Sequence, residues 1–388
     1  MPLLGRRRVR QTVVVRTAGH IGDPVLRLRF LRAAAPRRSR GRLGRWILWG
    51  AILLMLLIPF LMKRAAGKPE PPNVPVPPRR APAAETTKAV LPVWLVEQTG
   101  DSEVYSNGLR IDTRFTVPNR PRHYTVFQRA GASAGSRVQL SEPAGIVYHI
   151  SESCQAPFDA QDTPVLKRLG ESLLEYVRRK RAYHYLIDRF GRVYRVVAEP
   201  DTANHAGYSV WADDQWFYVN LNEGFLGVSF EAEAHPGQTE GVLSPAQVRA
   251  AAMLTEMLRI RYQIPAANCV THAQVSVNPS NMLVGYHTDW AAGFPFAELG
   301  LPDNYGRPLP ALWAFGFDYE PAWLALGGSR MSAGVELAEQ DIARAAVAAG
   351  MRPAAYRKAL RQHYKTLLAE VRRTNPPIAQ RGSGSAGR

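Results

Sequence analysis

The order of apolar segments between residues 145 and 275 constrains the fold more than any other feature of this sequence. Short runs rich in β-branched and aromatic residues alternate with longer runs whose apolar residues recur every three or four positions. The pattern predicts a strand at GIVYHIS, a helix at PVLKRLGESLLEYVRRKR, a hairpin at YHYLIDRFGRVYRVV, a strand at FLGVSFEAEA, a helix at LSPAQVRAAAMLTEMLRIRYQI and a strand before His272. Strands and helices in this order predict an α/β fold, with a mixed central β-sheet flanked by helices.

Local signals support the predicted elements. Pro164 falls in the first turn of the first helix, and Ser244 followed by Pro245 is a helix N-cap signal. The DRFG sequence is typical of a turn between two strands. On the strand FLGVSFEAEA, Ser229 and Glu231 lie on one face because side chains alternate along a strand.

Two histidines stand where predicted strands give way to polar loop. They are His149 in GIVYHIS and His272 in CVTHAQV, and the acidic segment GYHTDW follows with Asp289. Two neutral imidazoles and one carboxylate, with a fourth position left open, are typical of a catalytic zinc site. The sequence therefore predicts a zinc hydrolase.

The net charge of +17 is concentrated at the N-terminus. Residues 1–45 hold 13 arginines against one acid, Asp23, and an uncharged apolar run of 17 residues follows at 46–62. Such a run just crosses a bilayer when its flanking basic residues snorkel to the surface. A buried core helix and a cleaved signal peptide are the alternatives, but the long basic block favours a signal anchor.

The arginine block orients the anchor by the positive-inside rule, so residues from about 65 onward are predicted to lie outside the cytoplasm. The expected location is the inner (plasma) membrane, with the folded part on the periplasmic or extracellular side. The basic charge of residues 1–45 then needs no nucleic acid to explain it. We expect no nucleic-acid partner.

The chain on either side of the α/β region divides by composition. Residues 63–92 carry many prolines and predict a semi-rigid linker. Residues 93–140 predict a small β-rich lead-in with strands at VWLV, RFTV and HYTVF. Residues 303–375 are predicted to be a helical extension, in which residues 335–373 form two helical runs broken at Gly350 and Met351. This extension is a packing appendage or a binding site for a protein partner, and residues 376–388 are predicted to be a disordered tail.

Only two cysteines occur, Cys154 and Cys269. Each lies close in sequence to one of the two candidate histidine ligands, so a disulfide between them is one reading. The other reading is a pair of unlinked thiols.

Residues from about 145 to 296 resemble the zinc-dependent N-acetylmuramoyl-L-alanine amidases, a family that includes the amidase-type phage lysozyme and the peptidoglycan recognition proteins. The resemblance predicts a zinc amidase domain at residues 141–302. The segments that carry the resemblance are, in order, VYHIS, YHYLIDRFGRVYRVV, ANHAG, LGVSF, SPAQ, VTHAQV and HTDW. By this resemblance His149, His272 and Asp289 are zinc ligands. A zinc ion held in this way supplies an activated water molecule and polarises a carbonyl.

The resemblance also implies roles for residues around the metal. Tyr183 and His287 are implied to stabilise the oxyanion, and His287 also to protonate the leaving amine. Asn204, His205 and Ser229 are implied to bind substrate. Some bacterial members place a glutamate base at the position of Ser229, so Glu231 is a candidate base that acts through water.

The sequence departs from the family pattern at the last motif, which carries the third ligand. The interval from His272 to Asp289 is longer than in the family, and HTDW lacks the proline and glycine that follow the third ligand there. Two other histidines are given structural roles: His184, on the strand beside Tyr183, and His235, next to a proline in a predicted loop.

Taken together, the sequence predicts a membrane-anchored peptidoglycan hydrolase that cleaves the amide between N-acetylmuramic acid and L-alanine in peptidoglycan or muropeptides. A non-catalytic peptidoglycan-binding module on the same fold is the alternative. The complete set of ligands favours the enzyme, because non-catalytic members characteristically lose one. A different amide hydrolysed on the same scaffold is a third possibility.

Overall fold

The computed structural model describes residues 92–129, 135–233 and 242–374. The predicted basic tail, the anchor at 46–62, the linker up to residue 91, the tail at 376–388 and His235 lie outside these ranges. Within the described ranges, no helix combines the length and the apolar character needed to cross a membrane.

Fifteen strands occur in the described ranges. They are β1 Leu95–Gln98, β2 Ser102–Tyr105, β3 Arg110–Asp112, β4 Tyr124–Gln128, β5 Arg137–Leu140, β6 Gly145–Ile150, β7 Tyr185–Ile187, β8 Val193–Arg195, β9 Val210–Ala212, β10 Trp216–Val219, β11 Phe225–Phe230, β12 Cys269–Thr271, β13 Val277–Asn278, β14 Leu283–Val284 and β15 Asp318–Tyr319. The α-helices are α1 Thr163–Lys180, α2 Leu221–Gly224, α3 Pro245–Tyr262, α4 His272–Val275, α5 Pro310–Trp313, α6 Pro321–Ala348 and α7 Pro353–Thr374.

The central sheet has eight strands in the order β1-β2-β3-β8-β7-β11-β6-β12. Strands β7, β11, β6 and β12 run parallel to their neighbours in that series, whereas β7–β8 and the pairs within β1–β3 are antiparallel. The predicted α/β fold with a mixed sheet is therefore confirmed. Helix α3 begins with the predicted cap, because the Ser244 hydroxyl accepts the Gln247 N–H at 3.1 Å.

The strands of the lead-in are built into two sheets. β1–β3 extend the central sheet, and β4 and β5 belong to a second sheet of order β5-β4-β10-β9. Buried ion pairs attach this extension, because Arg195 on β8 contacts Glu103 on β2 at 2.7 Å and Glu199 at 3.2 Å. The predicted strand RFTV is wrong, since Val117 makes only an isolated bridge with Val197 and Pro118 has no N–H to continue a ladder.

The hairpin β9–β10 was not predicted from the sequence. Its signal was an aromatic and β-branched run on each side of the turn at Asp213 and Asp214. The helical break predicted at Gly350 and Met351 lies between α6 and α7 as expected, but α6 begins at Pro321, earlier than the predicted run. Helix α7 packs on the second sheet, with Thr374 hydrogen-bonded to Thr125 and His363 against Phe217.

The disulfide reading is not borne out. Cys154 is exposed, Cys269 is buried, and both thiols are free. Burial raises the pKa of Cys269 to about 12, so this thiol is protonated and inert at neutral pH.

Candidate metal centre

Two adjacent parallel strands bring His149 and His272 together. His149 is the fifth residue of β6, and β12 pairs with β6 in a register that sets Thr271 opposite Tyr148. His272 directly follows Thr271 and begins α4, so its ring lies beside that of His149, with 4.3 Å between centroids. Both histidines are buried.

Asp289 arrives from a loop and contacts both imidazoles. Its Oδ2 lies 3.2 Å from His149 Nδ1, and its Oδ1 lies 2.8 Å from His272 Nδ1. The backbone is fixed as well, because the Ala273 N–H donates to the Asp289 carbonyl at 3.1 Å. Despite the long interval, the structure thus joins the three predicted ligands, whose candidate donor atoms lie within 4.8 Å of one another.

The protonation states suit a metal. Burial lowers the pKa of His149 to about 4, assisted by the neighbouring His272. Burial alone would raise the pKa of Asp289, but the two histidines beside it, His272 foremost, hold it well below its usual value. At neutral pH the site therefore presents a neutral imidazole at His149 and an ionised carboxylate, the forms in which these groups bind metals.

His205 lies behind His149 and sets the orientation of its ring. His205 Nε2 is 3.1 Å from the Phe225 carbonyl, which can only accept, so this nitrogen carries the proton. Its Nδ1 is then the acceptor for His149 Nε2 at 3.1 Å. Burial, assisted by the nearby His149, holds the pKa of His205 well below its usual value and keeps this ring neutral. The Nδ1 lone pair of His149 consequently faces the cluster, and His205 supports His149. The substrate contact of His205 stays a prediction.

Tyr183 and His287 flank the three candidate ligands. The Tyr183 ring lies 5.0 Å from that of His149, and burial, together with the charge of Asp289, raises the pKa of its phenol. His287 stacks on His272 at 4.7 Å and 22°, on the solvent side of the cluster. Partial burial and the neighbouring His272 lower the pKa of His287, so it is neutral in the resting protein.

The structure does not bring Glu231 to this cluster. Its carboxylate faces Gly170 of α1 and accepts the Arg189 N–H at 3.1 Å, while burial raises its pKa. The predicted role of Glu231 as a base is therefore not supported: its hydrogen bond holds the turn after β7.

Two residues predicted to bind substrate, Ser229 and Asn204, make contacts within the protein. Ser229 pairs with His149 across β11 and β6 but is fully buried, so a substrate cannot reach it from solvent. Asn204 is exposed, and its side chain donates to the Lys180 carbonyl at 3.1 Å, which fastens the loop to the end of α1.

The structural reading of His184 agrees with its contacts. The ring is buried, and its Nδ1 accepts the Gly227 N–H at 2.9 Å. Asn222 is a further residue of the site that was not predicted from the sequence. Its Oδ1 accepts the N–H groups of His205, Ala206 and Gly207, at 2.7 to 2.8 Å, and so shapes the loop that carries His205. No local pattern around Asn222 distinguishes it from an ordinary turn residue.

The donor set fits a divalent metal of the zinc type. Two imidazole nitrogens and a carboxylate converge from three segments. At neutral pH the His149 imidazole is neutral and the Asp289 carboxylate is ionised, and His149 has a hydrogen-bonded partner behind it. Zinc takes N and O donors in tetrahedral sites and leaves the fourth position open when it is catalytic. The solvent side, next to His287, is where such a position would open.

The sequence match agrees with the geometry. Residues 139–289 match the family model described as N-acetylmuramoyl-L-alanine amidase, and this range holds all three converging residues. No curated protein matches the chain significantly.

Several solved structures are similar to this chain at low identity. AmpDh3 from Pseudomonas aeruginosa, in complex with an anhydromuramic pentapeptide, is 23% identical over 41% of this chain and 58% of its own, with a TM-score of 0.31. The N-acetylmuramyl-L-alanine amidase AmiD from E. coli, with its substrate, is 19% identical over 59% of this chain and 92% of its own, with a TM-score of 0.33. The chain thus spans little more than half the length of AmpDh3. Both TM-scores are below 0.5, so the likeness that carries weight is the match of residues 139–289 to the family model.

Proposed function

We propose that this chain, which carries a domain of the N-acetylmuramoyl-L-alanine amidase family at residues 139–289, hydrolyses the amide between N-acetylmuramic acid and L-alanine of the stem peptide. The observation that carries the proposal is the convergence of His149, His272 and Asp289 inside the family-matched range. Retention of all three favours turnover over binding alone. The substrate class is peptidoglycan or muropeptides.

The chain's own residues prepare the site for this reaction. His149, His272 and Asp289 would hold Zn²⁺, which supplies an activated water molecule and a Lewis acid for the scissile carbonyl. Tyr183, whose raised pKa keeps the phenol protonated, donates a hydrogen bond to the carbonyl oxygen as negative charge develops there. His287 is neutral at rest, so its imidazole can accept a proton from the attacking water and pass it to the leaving amine.

A digest tests the activity. Full-length protein loaded with one equivalent of Zn²⁺ is incubated with purified peptidoglycan, and new L-alanine amino termini are quantified, with products identified by mass. We expect release by the wild type and by His363→Gln, a change on the distant helix α7, but none by His272→Ala. Zinc-loaded wild type that binds peptidoglycan without releasing L-alanine termini would show a binding module, and a different product mass would show a different amide.

We further propose that residues 46–62 anchor the protein in the inner (plasma) membrane with the amidase domain outside the cytoplasm. The uncharged run and the 13 arginines before it support this topology. Carbonate-washed membranes should retain the full chain and lose a variant that lacks 46–62. Protease added to the outer side should cleave the amidase domain, and protection of that domain would contradict the proposed orientation.

A further inference from the structure

The segment between His272 and Asp289 is held in part by residues of the C-terminal extension. After α4 ends at Val275, the described chain up to Asp289 forms only the two-residue strands β13 and β14. Strand β14 is completed from outside, because β15 pairs with it in parallel and the Asp318 N–H donates to the Met282 carbonyl at 2.9 Å. β15 belongs to the C-terminal extension, beyond the family-matched range. The extension therefore supplies part of the fold of this loop.

Trp323, in the first turn of α6, covers the same loop. It is 4% exposed, and its indole lies so close to Gly285 that a Cβ there would be 2.2 Å from Trp323 Cδ1. Gly285 has φ of +82°, a conformation that favours glycine, and its N–H donates to the Ser276 carbonyl at 2.8 Å. The indole of Trp323 thus fixes the position of the backbone at Gly285, four residues before Asp289.

Asn304 and Tyr305 bind the backbone around both ligand-bearing segments. The Tyr305 hydroxyl donates to the carbonyl of Trp290, the residue after Asp289, at 2.8 Å. The Asn304 side chain donates to the Cys269 carbonyl at 2.8 Å. The backbone carbonyl of Asn304 accepts a hydrogen bond from the Gln274 side chain of α4 at 2.9 Å. Residues just past position 302 therefore hold the strand before His272 as well as the loop of Asp289.

We propose that the C-terminal extension, residues 303–374, is a positioning part of the metal centre, with Trp323 as the residue that sets the Asp289 loop. The proposal rests on the proposed function, since it concerns the same metal. The proposal assigns the extension a role within this chain, whereas the sequence alone predicted either a packing appendage or a binding site for a protein partner. Trp323 is not one of the three candidate ligands and acts through the backbone of Gly285.

Zinc affinity of the full-length chain, measured by competition with a chromophoric chelator, tests this role. Trp323→Ala is compared with Trp313→Ala, which removes an equally buried indole (4% and 5% exposed) from α5, where its Nε1 donates to Pro308. We expect Trp323→Ala to weaken zinc binding by about tenfold or more, as losses of supporting contacts around metals do. Trp313→Ala should bind zinc like the wild type, even if both variants unfold at similarly reduced temperatures.

Equal zinc affinities for the two tryptophan variants would overturn the positioning role while leaving the proposed function intact. A wild-type chain that bound no zinc would overturn both. Glycine substitutions provide an independent arm that needs no large cavity. Gly285→Ala meets Trp323 and should weaken zinc binding, whereas Gly300→Ala, also at positive φ but with nothing within 4 Å of its Cβ, should not.

A double substitution isolates the contact. In the Trp323→Ala background the clash at residue 285 is gone, so adding Gly285→Ala should weaken zinc binding by less than it does in the wild type. Additive losses would mean that the indole and the glycine act independently on the metal site, and the inference would be wrong.

Discussion

At the residue scale, the hydrogen bonds of His149 decide which of its nitrogens can face a metal. The Phe225 carbonyl fixes the proton on His205 Nε2, and His205 Nδ1 in turn accepts a hydrogen bond from the His149 Nε2–H. The Phe225 backbone carbonyl, acting through His205, thereby determines the tautomer of His149. Such partners orient metal-binding imidazoles and raise their basicity.

Replacing His205 should therefore change zinc affinity according to what the new side chain can accept. His205→Leu removes the acceptor for His149 Nε2, and we expect zinc binding to weaken by about 10- to 100-fold. His205→Asn keeps an amide oxygen as an acceptor, so its zinc affinity should lie between those of the wild type and His205→Leu. Chelator competition measures both, and identical losses would show that His205 contributes only packing.

Tyr183 should affect turnover and not metal binding. Tyr183→Phe keeps the ring next to His149 but removes the hydroxyl, so we expect kcat to fall by about 10²- to 10³-fold, the usual loss for one oxyanion donor. Zinc affinity should stay at the wild-type value. Steady-state hydrolysis of a muramoyl tripeptide gives kcat and KM, and a rise in KM alone would assign Tyr183 to substrate binding instead.

The sequence predicted individual residues where local wording was specific, and it failed where orientation decided the role. His149 and His272 follow apolar strands, which places them at one end of the sheet, and both are found there. Glu231 was placed on the same strand face as Ser229. It lies two residues further along the chain, where its carboxylate contacts the turn after β7. A face assignment gives direction and does not tell which neighbour a side chain reaches.

At the scale of elements, buried ion pairs attach the N-terminal strands to the central sheet. Arg195 of β8 makes a two-pronged contact with Glu103 of β2, at 2.7 Å for each nitrogen–oxygen pair. Burial raises the pKa of Glu103, but the hydrogen bonds and charge of Arg195 outweigh it, so that the pKa lies below the ordinary value of 4.5. The pair is a stabilising contact whose strength depends on pH.

Glu103→Gln should lower the free energy of unfolding at pH 7 by about 2 kcal/mol, the range for a hydrogen bond to a charged group, since Arg195 keeps Glu199 as a partner. The contribution of Glu103 is complete above its unfolded-state pKa near 4.5 and is lost as the pH falls through the lower folded-state pKa. Urea unfolding at pH 7 and at successively lower pH should show the two proteins converging. A constant difference would exclude the carboxylate charge as its source.

Elements inside the α/β region were predictable because their patterns are long and capped. Helix α3 has both Ser244 and Pro245 at its start, and β11 is a mostly apolar run that is buried at all six positions. The edges were harder: β1 is exposed at all four positions, so it shows no alternation of burial. Its place in the sheet depends on pairing with β2, which a local pattern does not encode.

At the scale of the whole molecule, the candidate metal centre connects parts that are far apart in the sequence. His149 belongs to β6, His272 begins α4, and the loop of Asp289 rests on the C-terminal extension. The amphipathic pattern of residues 335–373 predicted two helices and gave no sign of where they pack. Contacts such as that of Trp323 with Gly285 arise only when the tertiary fold is complete, which is why the role of the extension was not predictable.

Because the three ligands tie distant segments together, a bound metal should stabilise the entire fold. At a free zinc concentration 100 times the dissociation constant, linkage adds about 2.7 kcal/mol to the free energy of unfolding. We expect a chelator to lower the Tm of the zinc-loaded wild type by several degrees. Asp289→Ala, which removes the carboxylate that contacts both histidines, should lose most of this response, whereas Glu231→Gln should keep it. If the chelator lowered the Tm of Asp289→Ala as much as that of the wild type, the stabilising metal would have to be held at a site that does not include Asp289.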